Sequence, residues 1–151
     1  MTRSAKPVSA PALVGTWSLV SWESRSPEGE VTHPFGADAA GRLNYDAAGN
    51  MAVHLMRPGR PPFATEDQFG ASAEEAQRAF NGYFGYFGTY TVQESQGTVT
   101  HHVEAASPPN WIGTDQLRYF QIAGDTLTLS TAAIALAGEG TSHVLVWRRI
   151  G

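Results

Sequence analysis

The sequence predicts an all-β domain, an antiparallel sandwich or barrel interrupted by one short helix. Three observations carry that expectation. Short runs rich in Val, Leu, Thr, Trp and Tyr recur along the chain. Gly, Pro, Asn and Asp separate them at the spacing of successive antiparallel strands. One stretch, beginning at Ser72, replaces the two-residue alternation with helical spacing.

Strand-like runs fall at residues 14–23, 41–45, 51–55, 85–93, 98–105, 115–122, 126–131 and 143–150. The first stops near Pro27 and Gly29. The helix has Ser72 as N-cap and Glu75 three residues later, the arrangement of a capping box. Glu74 and Arg78 are spaced as an i,i+4 pair. Ala73, Ala76, Phe80 and Tyr83 lie on one stripe, expected to be buried, and Gly82 or Gly85 ends the helix. A single short helix in an all-β chain is expected to cover an open end. The loop before it, Arg57-Pro-Gly-Arg-Pro-Pro-Phe63, is Pro-rich and semi-rigid. Residues 1–11 are small and polar and read as a disordered tail, leaving one domain over 12–151.

Composition excludes several function classes. A chain of 151 residues fits one domain. With no cysteine there is no disulfide scaffold, thiolate–zinc site, iron–sulfur cluster or cysteine nucleophile. An apolar content of 42% with 16% charged residues argues against extensive disorder. The net charge of −4 argues against a nucleic-acid partner, which needs a basic stripe. No apolar run reaches the roughly 20 residues of a membrane span. The first residues carry no apolar signal core, so the expected location is cytoplasmic, without a membrane partner. Nine of the ten basic residues are arginine, which weakens any single arginine as a sign of anion recognition.

Three hairpins assign faces. In Asp46-Ala-Ala-Gly49-Asn50, Gly49 suits the left-handed position of a three-residue loop. Tyr45 then pairs with Met51 and Leu43 with Val53. These residues and Leu55 share the buried face, with His54 on the other. A two-residue turn at Gly124-Asp125 pairs Ile122 with Leu127 and Phe120 with Leu129, and it carries Arg118 onto the same interior face. An interior arginine is costly unless something pairs with it. In the third hairpin, three-residue logic at Glu94-Ser-Gln-Gly97-Thr98 pairs Tyr90 with His102 and Gly88 with Glu104. One face then holds Tyr86, Tyr90, His102 and Glu104; the other holds Phe87, Val99, His101 and Val103. A solid core favours the valine face inward and a ligand cavity tolerates the tyrosine–histidine face. A one-residue slip exchanges the answers.

An ordered set of segments now supports a resemblance. It runs Leu13-Val-Gly-Thr-Trp-Ser-Leu-Val20, Gly41-Arg-Leu-Asn-Tyr-Asp-Ala-Ala-Gly-Asn-Met51, Gly85-Tyr-Phe-Gly-Thr-Tyr90, Thr100-His-His-Val-Glu104, Asp125-Thr-Leu-Thr-Leu129 and His143-Val-Leu-Val-Trp-Arg-Arg149. In this order the chain resembles the lipocalin-like domain family of small bacterial and fungal proteins, over about residues 12–150. The resemblance implies a closed or nearly closed antiparallel β-barrel around a small-molecule cavity. It also implies that Arg148 or Arg149 stacks on Trp17 at one barrel end. Some members of the family accompany natural-product pathways. The chain departs from secreted lipocalins in its lack of cysteine and its mid-chain helix.

The candidate chemistry is sparse. His101 and His102 are adjacent on a strand and point to opposite faces, so they cannot chelate one ion. With His33 in a loop and His54 on an outer face, no metal and no cofactor is expected. There is no Gly-x-Ser-x-Gly nucleophile elbow. The best catalytic option is acid–base. His102 and Glu104 are two apart on one face, with β-carbons roughly 7 Å apart, and Tyr90 is expected opposite His102. His102, Glu104 and Tyr90 are therefore the candidate catalytic residues. Tyr45, Met51, Tyr86, Trp111, Arg118 and Phe120 are the candidate ligand-binding residues. Arg118 would anchor a carboxylate or enolate oxygen, and Trp111 would cover the barrel mouth from its loop. The plain alternative is that Glu104 pairs with Arg118 and His102 is solvent-facing.

Three functions follow in order of preference. The first is binding of a small apolar or aromatic ligand with one polar end. The second is a cofactor-free isomerase, cyclase or dehydratase with His102 as general base. The third is a solid module that docks a protein partner through its helix and Pro-rich loop. A homodimer through exposed sheet or helix is compatible with the sequence.

Overall fold

Each strand alternates between a face that must leave water and one that must not, and the only arrangement here without a raw inner edge is a ring. A computed structural model describes residues 11–131, 134–136 and 139–151, with side chains outside 132–140. The strands are β1 (Gly15–Arg25), β2 (Val31–Thr32), β3 (Ala40–Tyr45), β4 (Asn50–Met56), β5 (Tyr83–Gln93), β6 (Thr98–Ala106), β7 (Asp115–Ala123), β8 (Thr126–Ser130), β9 (Ile134–Leu136) and β10 (Glu139–Arg149). Helix α1 (Ala73–Asn81) lies between β4 and β5. Neighbours follow the order β2-β1-β3-β4-β5-β6-β7-β8-β10-β9, and β1 also pairs with β10. Eight strands thus form a closed antiparallel barrel, with β2 and β9 as short additions outside the ring.

The up-and-down path gives the barrel two unlike ends. One end carries the tight connections at 46–49, 94–97 and 124–125. The other carries the long connections, including 26–39, 57–82 and 107–114. The tight end is sealed by the chain termini. Trp17 is fully buried and its indole N–H donates to Leu13 O at 3.0 Å. The guanidinium of Arg149 stacks on Trp17 at 4.3 Å from the ring centroid, and its N–H groups donate to the carbonyls of Val14 and Ala12. Of the two arginines expected to stack there, Arg149 does so. The tail expected over residues 1–11 lies outside the described residues except for Pro11, which opens a 3-10 turn ending in fully buried Leu13.

Two hairpins have the expected register: Tyr45 pairs with Met51, Leu43 with Val53, Ile122 with Leu127 and Phe120 with Leu129. The third does not. Gln93 pairs with Thr98 across a four-residue connection, with a 3-10 turn at Glu94–Gln96 and Gly97 in the left-handed region at φ 66°. The loop is one residue longer than three-residue logic assumes, so Tyr90 faces His101 and Thr89 faces His102. A bulge then makes Glu104 the extra residue, and Gly88 pairs with Val103 rather than with Glu104. The tyrosine face of β5 and the valine face of β6 both point inward, so the two answers left open by the sequence are not exclusive.

The helix departs from expectation in one respect. Its capping box is present, with Glu75 N donating to Ser72 Oγ and Ser72 N donating to the Glu75 carboxylate. It buries no residue, however, and Phe80 is half exposed. The expected stripe fails because Glu75 and Ala79 face the preceding loop instead. Glu75 accepts from Ala64 N and Ala79 O accepts from Arg60, so polar contacts hold the helix in place. The spaced pair Glu74–Arg78 is not among the ion pairs of the described residues. Among the described residues no helix is long and apolar enough to cross a membrane.

Two substitutions test this architecture. A Cβ at Gly88 would sit 1.9 Å from the carbonyl oxygen of His102, so the backbone must move. Gly88→Ala is expected to lower unfolding free energy by at least about 3 kcal/mol, read by urea denaturation. Arg149→Ala strands two carbonyls and removes the ring contact, with an expected loss of about 2–4 kcal/mol in the same assay.

Candidate functional site

The sealed tight end leaves space at the other. A cavity of about 570 Å³ occupies the half of the barrel nearest the long connections. Its walls are mainly apolar, with Leu43, Val53, Leu55, Leu129 and Leu145 among them. Trp22 reaches this wall because of a bulge in β1. The ladder with β10 shifts between Leu19 and Ser21, and Val20 turns outward. Without the extra residue, alternation from Trp17 and Leu19 would carry Trp22 to the outside.

The mouth is shaped by the connection between β6 and β7. Pro109–Trp111 forms a 3-10 turn, closed by Trp111 N donating to Pro108 O at 3.0 Å. That turn folds Trp111 back over the cavity. Its ring meets Phe84 edge-on at 5.0 Å and Tyr86 at 5.3 Å between centroids. Arg118 is an inner residue of β7, as the hairpin register predicted, and its guanidinium lies 5.8 Å from the Trp111 centroid. It donates to Leu117 O at 2.9 Å. Among the described residues the ion pairs are Arg25–Glu23 and His102–Asp115, so no described carboxylate neutralises Arg118.

His101 is the polar centre of the interior. It is 1% exposed, and each ring nitrogen meets a tyrosine hydroxyl: Nε2 with Tyr45 at 2.6 Å and Nδ1 with Tyr86 at 2.7 Å. Burial, then the charge of Arg118, then His102, push its pKa down to about 3, so the ring is neutral near neutral pH. A neutral imidazole donates through one nitrogen and accepts through the other. The Tyr45 hydroxyl is enclosed and meets no other partner among the described residues. Its hydrogen therefore goes to Nε2, and the N–H at Nδ1 donates to Tyr86. The hydrogen of Tyr86 is then left for the cavity. Burial raises the Tyr86 pKa, against the opposing charge of nearby Arg118 and the hydrogen-bonding approach of its guanidinium to the Tyr86 oxygen, so the hydroxyl stays protonated.

Two further polar groups border the cavity. His143 Nδ1 accepts from the Trp22 indole N–H at 3.1 Å, because an indole nitrogen can only donate. Burial, then Arg118, lower the His143 pKa and keep the ring neutral, with its proton on Nε2. Trp147 is 1% exposed, and its indole N–H is buried with no partner among the described residues. Among the described residues no three His, Asp or Glu side chains gather as a metal site would require.

The residues expected at the site divide. Tyr86, Trp111 and Arg118 border the cavity. Tyr45 does not; it is buried behind His101 and acts on the interior through that ring. Met51 and Phe120 belong to the core below the cavity rather than to its wall. Tyr90 is buried with its hydroxyl donating to Asp46 O at 2.7 Å, away from the cavity. The catalytic pairing is corrected. His102 lies on the outer face, bonded to Asp115 at 2.8 Å and to Thr91 at 3.1 Å. Glu104 is exposed and unpaired with Arg118 among the described residues. Both errors follow from the single added residue in the 94–97 connection, which turns His101 inward in place of His102.

His101, His143, Trp22, Phe84 and Trp147 are wall or network residues that are absent from the site candidates named from the sequence. His143 had a usable signal: it is two and four residues from Leu145 and Trp147, hence on their face.

Comparison with known proteins agrees with this architecture. Residues 14–150 match the model of the lipocalin-like domain family. The chain belongs to that family. The lipocalin-like barrel is also similar to a protein of Aspergillus oryzae (strain ATCC 42149 / RIB 40) named 4'-hydroxy-3'-methoxypropiophenone carrier protein ppsC. The two are 36% identical over 107 residues, spanning 66% of this chain and 96% of the relative. No solved structure matches it.

The buried histidine makes stability depend on pH. The folded-state pKa is about 3 against 6.5 for a free ring, so between these values the unfolded chain takes up the proton. Stability is therefore complete above about pH 6.5 and falls as the pH drops toward 3. The loss assignable to His101 is on the order of 2 kcal/mol at about pH 5. His101→Gln is expected to flatten the dependence in this window, seen by comparing urea unfolding of the two proteins near pH 7 and pH 5.

Proposed function

We propose that this lipocalin-like protein binds and carries a small aromatic ligand that has one polar end. The cavity carries the reading. Its volume of about 570 Å³ falls within the range of small-molecule sites, its walls are mostly apolar, and a few polar groups converge on it. The aromatic wall of Phe84, Tyr86 and Trp111 suits a flat ring. The carrier name of the Aspergillus oryzae relative supports the same reading, and an aryl ketone of that kind is a reasonable first ligand.

A cofactor-free isomerase, cyclase or dehydratase is less well supported. His102 faces outward, and His101 has both nitrogens engaged and a pKa pushed down to about 3, which makes it a poor base near neutral pH. The docking-module reading needs a filled interior, which the cavity denies it.

Adding 4'-hydroxy-3'-methoxypropiophenone at about 100 times its dissociation constant should stabilise the fold by about 2.7 kcal/mol, equivalent to about 5–10 °C in melting temperature. Trp111→Ala should cut the affinity at least about tenfold, with a loss of about 1–3 kcal/mol in unliganded stability from the ring contacts with Phe84, Tyr86 and Arg118. No stabilisation by this ketone or by a panel of aromatic acids, phenols and ketones, together with no small molecule released from freshly purified protein, would count against a carrier role.

A further inference from the structure

The polarity of the cavity's hydrogen-bonding groups is one-sided. Tyr86 has spent its acceptor on His101 Nδ1–H and keeps a hydrogen to give. Arg118 is a pure donor, with one N–H used on Leu117 O. His143 has spent its acceptor on Trp22 and keeps an N–H at Nε2. Trp147 keeps a buried indole N–H with no partner among the described residues. Other lining groups do not reverse this bias. The Thr131 hydroxyl already accepts from His143 N; the Gln116 amide nitrogen donates to Thr114, which leaves its Oε1 as one acceptor against these four donor groups. Asp115, the carboxylate that borders the described cavity, is mostly exposed and turned to His102 outside the barrel. Tyr119 borders the cavity from the outer face of β7 and is 43% exposed.

An unpartnered buried donor is costly, and a partly buried cation without a carboxylate is more so. Both costs vanish if a ligand brings an acceptor with negative charge. We propose that the polar end of the ligand is an oxyanion on an aromatic body, a phenolate, enolate or carboxylate oxygen, bound by Arg118 together with the Tyr86 hydroxyl. This inference rests on the carrier reading and adds the charge state of the cargo. The chain Tyr45–His101–Tyr86 then has a function beyond packing. Tyr45 fixes the tautomer of His101, His101 occupies the acceptor side of Tyr86, and Tyr86 is held as a donor toward the cavity. Tyr45 and His101 are positioning residues for Tyr86.

The test compares 4-hydroxyacetophenone, its methyl ether 4-methoxyacetophenone, and 4-acetylbenzoate, with binding followed by tryptophan fluorescence and phenol ionisation by ultraviolet absorbance. Above the phenol's free pKa the wild-type protein should bind the phenolate at least about tenfold more tightly than the ether, about 1.4 kcal/mol. Binding should lower the phenol's ionisation midpoint by about one unit or more. Arg118→Gln and, separately, Tyr86→Phe should each shrink both effects; if one variant does not fold, the other and the wild-type comparison still decide. The benzoate arm tells a carboxylate site from a phenolate or enolate site by which anion binds more tightly. Equal or tighter binding of the ether, or an ionisation midpoint raised on binding, overturns the inference and leaves the carrier reading standing. Failure of all three probes to bind overturns the inference, and with the stabilisation assay also negative the carrier reading falls too.

Discussion

The seam between β1 and β10 is the constraint on which the rest of the molecule depends. Eight residue pairs join these strands and turn an open sheet into a ring. The seam is anchored where Arg149 lies over Trp17 and donates to the carbonyls of the incoming chain. A closed ring has no inner edge to protect, so its interior is free to be shaped by side chains alone. Large residues fill the sealed end, where Trp17, Tyr45 and Leu13 are buried. The same filling is not repeated at the other end, and the difference is the cavity.

Irregularities in the ladders decide what faces that cavity. The bulge in β1 rotates Trp22 inward, and the four-residue connection at 94–97 rotates His101 inward in place of His102. Each is a change of one residue, and each moves a whole set of side chains across the sheet because strand alternation has period two. The second bulge, at Gly88, needs a residue without a side chain because the backbone of His102 lies against it. The site is thus built as much by breaks in regular pairing as by the pairing itself.

Placing a histidine in a dry interior would be unfavourable without partners for both of its nitrogens. Tyr45 and Tyr86 supply them, on strands β3 and β5 that are separated by β4 in the ring. The result is a polar chain that crosses the apolar core and ends at the cavity wall. Arg118 reinforces it electrostatically, since its charge opposes protonation of both His101 and His143. A neutral His101 and a neutral His143 keep their tautomers, and the tautomers set which groups remain to meet a ligand.

Much of this was legible in the linear chain. The all-β class, the capped helix start and the registers of two hairpins follow from local chemistry: turn residues, alternation and a Ser–Glu box act over a few residues. The ordered segments of the lipocalin-like family carried the closed barrel and the stacking of a terminal arginine on Trp17. Alternation also placed Arg118 inside, and the loop tryptophan Trp111 was singled out for the mouth. What the chain could not reveal was set by contacts between distant segments. The loop at 94–97 can close with three or four residues, and the four-residue form is read from the pairing of β5 with β6. The β1 bulge lies in the ladder of β1 with β10, two strands from opposite ends of the described chain. The partners of His101 lie 56 and 15 residues away in sequence, so its burial and its tautomer are consequences of the closed barrel rather than of any local pattern.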